Sequence, residues 1–145
     1  MNAEGNKQAM PLARWLYFLP AFLFMGAIWW MSSHPVPETV HAWPVLDEMK
    51  LTHLIEYSLL ALLWLIGFFG SAPRRPEVVY PLTVCLTFLW GISDEIHQIF
   101  VPSRTATISD ALTDLVAAVI CVELHFALTT LARRRRQHRR SSPRP

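Results

Sequence analysis

Between Ser93 and Arg104 the chain reads Ser-Asp-Glu-Ile-His-Gln-Ile-Phe-Val-Pro-Ser-Arg, and Asp110 and Asp114 follow closely. Spacing of three and four residues puts Asp94, His97 and Gln98 on one helical face, with Glu95 at its margin. A second polar set stands at Lys50, His53, Glu56 and Tyr57, the last three again on one face, while Asp110 and Asp114 stack one turn apart. Together these supply the carboxylates of Glu56, Asp94, Glu95, Asp110 and Asp114, two imidazoles, and the cations Arg104 and Lys50. Such a collection suits proton transfer or the binding of a cation or a polar headgroup. His97, Glu95 and His53 are its candidates for acid-base catalysis. Arg104, Lys50, Glu56, Tyr57, Asp94, Gln98, Asp110 and Asp114 are its candidates for substrate binding. Carboxylates this crowded repel one another, so some are expected to stay protonated or to pair with Arg104 or a histidine.

Other chemistries fit less well. His53, His97, Glu56 and Glu95 are zinc-ligand types, but their spacing matches no H-E-x-x-H signature and no cysteine joins them, so no metal and no cofactor are expected. Ser93 and Ser103 have no nucleophile motif around them. A purely structural reading stays open, in which Arg–carboxylate and His–carboxylate pairs form a lattice that holds helices together.

The elements that must position these groups are long apolar runs. The chain has 145 residues, of which 52% are hydrophobic, and its mean hydropathy is +0.28. The runs cover Leu12 to Met31, Leu51 to Phe69, Val78 to Phe100 and Ile108 to Leu131, each able to form a helix of about 20 residues and cross a hydrocarbon core of about 30 Å. The expected fold is all-α, an integral membrane bundle of four transmembrane helices in one domain spanning 12–132. A cytoplasmic tail precedes it at 1–11 and a basic cytoplasmic tail follows at 133–145, both expected to be disordered.

Pro35 and Pro37, Gly70 and Pro73, and Pro102 punctuate the ends of the first three runs, and Thr107 with Asp110, or Ser109 alone, can cap the fourth. The first run is long and lacks a small-x-small cleavage site, so it reads as an uncleaved anchor. Cys85 and Cys121 fall within spans and act as small apolar residues rather than as a disulfide. Trp15, Tyr17, Trp29, Trp30 and Trp43 suit an interfacial belt. The arginines after Ala132 lack interleaved aromatics, so a contact with anionic lipid is expected and none with nucleic acid. Glu123 and His125 stand apart, with no charged partner at helical spacing.

Lys and Arg resist translocation next to short spans and so set orientation. Lys50 and Arg104 fall on one side and the other 11 of the 13 basic residues on the opposite side. Both termini are therefore expected in the cytoplasm, the chain crossing the membrane several times. The outward side then gathers 8 of the 11 acidic residues: Glu38, Asp47, Glu48, Glu56, Asp94, Glu95, Asp110 and Asp114. The polar groups should converge there on one outward-opening pocket.

At these residues the chain closely resembles the VanZ-like family of small bacterial membrane proteins. The resemblance rests on Ser32-Ser33 with Pro35, on Lys50, His53, Glu56 and Tyr57, on Asp94, Glu95, His97, Gln98, Phe100 and Pro102, and on Arg104, Asp110 and the polar position Asp114. The chain departs from the family pattern at Met49, Ser103, Asp114 and Ala117, where the pattern has Asp, Gly, Asn and Gly. The resemblance implies a four-helix integral protein of the cell envelope tied to glycopeptide (teicoplanin) resistance, with membrane lipids and a lipid-linked or cell-wall precursor as partners. It implies no reaction. A membrane-embedded enzyme with His97 or Glu95 as base and Arg104 gripping a phosphate or carboxylate remains a second reading, and a small proton-coupled carrier acting as a dimer a third.

The charge asymmetry carries its own test. Alkaline phosphatase fused after Ser103 should be active, and green fluorescence from a C-terminal fusion should persist. An inactive phosphatase at Ser103 would reverse the sidedness of every polar residue above.

Overall fold

A computed structural model describes residues 12–34, 48–72, 74–102 and 104–141 of the chain. The expectations placed on Lys7, Pro35, Pro37, Glu38, Trp43, Asp47, Pro73, Ser103 and Arg144 lie outside the described residues. A 3-10 segment, Leu12–Phe18, runs into α1, Leu19–Ser32, and is followed by α2, Glu48–Ser71, α3, Pro76–Gln98, and α4, Ile108–Ser141. No strand occurs among the described residues. Four helices are long and apolar enough to cross a membrane, over Arg14–Ser32, Lys50–Ser71, Pro76–Gln98 and Ile108–Arg139.

Each helix begins or ends for a local reason. Pro76 opens α3 at a position whose N–H needs no partner. Thr107 caps α4, its Oγ1 accepting the Asp110 N–H at 3.1 Å. The disorder expected directly after Ala132 is corrected, since α4 continues as helix through Ser141. Arginine and glutamine are good helix formers, cations suit the C-terminal end of the helix dipole, and neither Gly nor Pro interrupts that stretch.

The outer surface is apolar. Phe22, Leu23, Ile66, Leu89 and Ile120 are all exposed, the arrangement expected of a bundle whose solvent is lipid. Helices in lipid gain little from the hydrophobic effect and pack through close contact instead. On α2 the buried residues Tyr57, Leu60, Ala61, Trp64, Leu65 and Phe68 recur at three and four, and most of them share one core cluster with Ala117 of α4. The closest helix pairings are α2 with α4 and α3 with α4. Cys85 and Cys121 are free thiols.

The 3-10 segment is held to α2 by Phe18, whose ring meets Phe68 edge-on at 5.2 Å. Gly67 makes room for it, because a Cβ there would lie 2.6 Å from Phe18 Cδ1, whereas one at Gly26 would meet nothing within 4 Å. Gly67→Leu should therefore destabilise the bundle by about 1–3 kcal/mol through overpacking. Gly26→Leu should leave stability unchanged or slightly raised. Reversible unfolding in mixed micelles distinguishes the two, and equal midpoints would refute the close approach.

Candidate functional site

The C-terminal ends of α1 and α3 and the N-terminal ends of α2 and α4 bring the polar residues to one end of the bundle. At its centre His53 Nδ1 lies 2.9 Å from Asp114 Oδ1. Asp114 is fully buried and His53 nearly so. Gly91 admits the carboxylate, for a Cβ at that position would lie 2.5 Å from Asp114 Oδ2. The His53 ring also stacks in parallel on Tyr57, with centroids 5.8 Å apart and planes within 4°. A contact on each side thus fixes the imidazole.

Glu95 completes this group from α3. Its Oε2 accepts the Thr107 backbone N–H at 2.8 Å, so one carboxylate joins the end of α3 to the residue that caps α4. Atoms of His53, Glu95 and Asp114 able to bind a metal all lie within 4.8 Å of one another. Three oxygens here are buried without a hydrogen-bond partner among the described residues: Glu95 Oε1, Asp114 Oδ2 and the Tyr57 hydroxyl. Buried polar atoms are seldom left so, because each loses its hydration with nothing in return.

A second network ties α1 to α3. Asp94 accepts the Ser32 hydroxyl at Oδ1 and the Gln98 side-chain amide at Oδ2, at 2.8 Å. Ser33 Oγ lies 2.6 Å from the Trp29 carbonyl and 2.8 Å from His97 Nε2. A hydroxyl has a single proton, so Ser33 donates to the carbonyl and His97 donates from Nε2. The His97 ring stacks on Trp29 at 3.9 Å and 20°. Both oxygens of Asp94 are satisfied, unlike those of Asp114 and Glu95.

The hydrogen bonds of this end thus fall into two networks, and two of the expected pairings differ. Arg104 pairs with no carboxylate among the described residues. Its Nε donates to the His34 carbonyl and its Nη2 to the Met31 carbonyl, each at 3.0 Å. The guanidinium thereby reaches the His34 carbonyl just past α1 and adds a second donor to the Met31 carbonyl, which also accepts the His34 N–H at 3.2 Å. His97, expected to face His53, instead turns toward α1. Lys50 is exposed at the start of α2, Glu56 is half-buried one turn beyond His53, and Asp110 is buried in the first turn of α4.

Gly91, Trp29 and the Thr107 amide are parts of the site that the residue pattern did not single out. Gly91 lies three residues before Asp94, on the buried stripe that continues Thr83 and Thr87, and that small-residue stripe was the available signal. At the other end of the bundle His125 has partners after all: the Tyr80 hydroxyl lies 3.1 Å from its Nδ1, and its ring stacks on Phe69 at 5.4 Å. Glu123 is exposed.

The family model described as VanZ/LLP1 matches residues 4–129. No curated protein and no solved structure matches the chain.

Replacing Gly91 by Ala tests the central contact. In an unhindered helix this change stabilises by roughly 0.5–1 kcal/mol. Here it should cost about 1–3 kcal/mol in unfolding free energy by forcing Asp114 aside. A stabilised Gly91→Ala protein would show that the carboxylate does not sit against α3.

Proposed function

The chain belongs to the VanZ/LLP1 family, and we propose that it is a cell-envelope protein of the bacterial inner membrane whose ionisable site, outward-facing, takes the polar head of a lipid-linked or cell-wall component. Both termini are cytoplasmic in this reading. A tie to glycopeptide resistance of the teicoplanin type would run through that component.

The observation that carries this reading is a groove of about 420 Å³ between α3 and α4, within the usual size range of ligand pockets. Phe88, Ile92, Ile96, Ile99, Ala111 and Leu112 supply most of its wall, and Glu95 is the one ionisable residue among its described lining. An acyl or prenyl chain lying there from the side would bring its polar head to Glu95, and behind Glu95 to His53 and Asp114. Lipid and a lipid-linked precursor are therefore the partners this reading names, with no role for nucleic acid.

One observation favours the enzyme reading as the runner-up. Asp114 orients the His53 imidazole as a carboxylate orients a catalytic base. In that case His53, rather than His97, is the base, since His97 is engaged by Ser33 and Trp29.

Native mass spectrometry of protein released gently from its own membranes should find a retained lipid. Ala111→Trp, which fills the groove, should abolish retention in a folded, monodisperse protein, while Ala27→Trp on the lipid-facing surface should not. Equal retention by both variants would remove the groove from the account. If the enzyme reading holds, purified protein converts that lipid to a product, and His53→Gln stops the conversion.

A further inference from the structure

We propose that His53, Glu95 and Asp114 form a binding site for one divalent transition-metal cation of the zinc or manganese type. Donor chemistry comes first: one imidazole nitrogen and two carboxylate oxygens are ligand types that both ions accept. These atoms lie within 4.8 Å of one another, and ligands about 2.0–2.2 Å from a shared zinc ion need only a modest contraction of the side chains to reach it.

The second observation is independent of the clustering. Glu95 and Asp114 are more than nine-tenths buried, and each keeps one oxygen, Oε1 and Oδ2, with no hydrogen-bond partner among the described residues. A cation engages such oxygens directly. Apart from the His53 imidazole itself, the cationic side chains lie elsewhere among the described residues, for Arg104 donates to the carbonyls of Met31 and His34 and Lys50 is exposed.

The surroundings fit a metal centre. The Glu95 oxygen that is satisfied accepts the Thr107 amide, and the His53 ring is held flat against Tyr57. Ligand residues are commonly oriented by outer contacts of this kind. Glu95 also borders the groove between α3 and α4, so the carboxylate is next to a space that an outside ligand could occupy. Coordination through Nδ1 needs the lone pair of that nitrogen, so the ring proton would then sit on Nε2, and an imidazolium would give up one proton to solvent. This site stands whether or not the groove takes a lipid.

The test uses the full chain, carried on a tag without histidines, stripped with a chelator and reconstituted in lipid nanodiscs. Manganese titrated alone should lose its free-ion paramagnetic signal at one equivalent per chain, and zinc should restore the signal by displacement. Zinc should also raise the thermal midpoint of the protein. Glu95→Gln and Asp114→Asn should each weaken binding by about 100-fold or more, while Glu123→Gln, an exposed carboxylate of the same helix, should bind as wild type. Because Asp114→Asn disturbs the helix packing, Glu95→Gln is the decisive variant, its folding checked by helicity and monodispersity. No stoichiometric uptake by the wild-type chain, or unchanged uptake by folded Glu95→Gln, overturns the proposal.

Discussion

A histidine and an aspartate joined at 2.9 Å inside a membrane bundle constrain everything around them. Neither can turn toward lipid without losing its only strong partner, and removing one half of a buried pair costs about 3–5 kcal/mol. The contact therefore fixes the rotation of α2 against α4, the helices that pack most closely. It also dictates what α3 may carry opposite Asp114, which is why glycine stands at position 91. Tyr57 packs on the open face of the imidazole, so the ring that could bind or shuttle a proton is the best-positioned polar group in the chain.

The polar end of the bundle contains two kinds of construction. Ser32, Asp94 and Gln98, together with Ser33, His97 and Trp29, close their hydrogen bonds among themselves and fasten α1 to α3. Arg104 adds a clamp on the final carbonyls of α1. This part is a lattice, but one of hydroxyl, amide, carbonyl and ring contacts in place of the Arg–carboxylate and His–carboxylate pairs that the structural reading of the sequence named. His53, Glu95 and Asp114 differ because their hydrogen bonding is incomplete and because Glu95 reaches a groove open to the side of the bundle. Among the carboxylates of this end, the open oxygens of Glu95 and Asp114, beside an Asp94 whose two oxygens are both bonded, mark the part of the cluster available for a ligand.

The four spans were legible because lipid imposes a requirement that composition alone meets: about 20 apolar residues with every backbone group bonded internally. Convergence of His53, Glu95 and Asp114 followed from their positions near matching ends of consecutive helices. The partners within that end were not legible. Helical spacing puts His97 and Asp94 on one face, but it does not say that Trp29 and Ser33 will claim His97, because that depends on the rotation of α1. Arg104 was expected among the carboxylates on charge alone, yet the backbone carbonyls of Met31 and His34 at the end of α1 compete for the same donors. Continuation of α4 past Leu131 was hidden by the arginine run, where charge repulsion argued for disorder and helix propensity prevailed.

The central claim is that His53 and Asp114 interact directly across the α2–α4 contact. A double-mutant cycle with His53→Ala and Asp114→Ala, measured by reversible unfolding of chelator-treated protein in mixed micelles, tests it most directly. Residues in contact show interaction energies of roughly 0.5–3 kcal/mol, and the account predicts a value toward the upper end of that range, with the double variant far less damaged than the sum of the single ones. Additive effects within about 0.5 kcal/mol, the behaviour of distant sites, would contradict it.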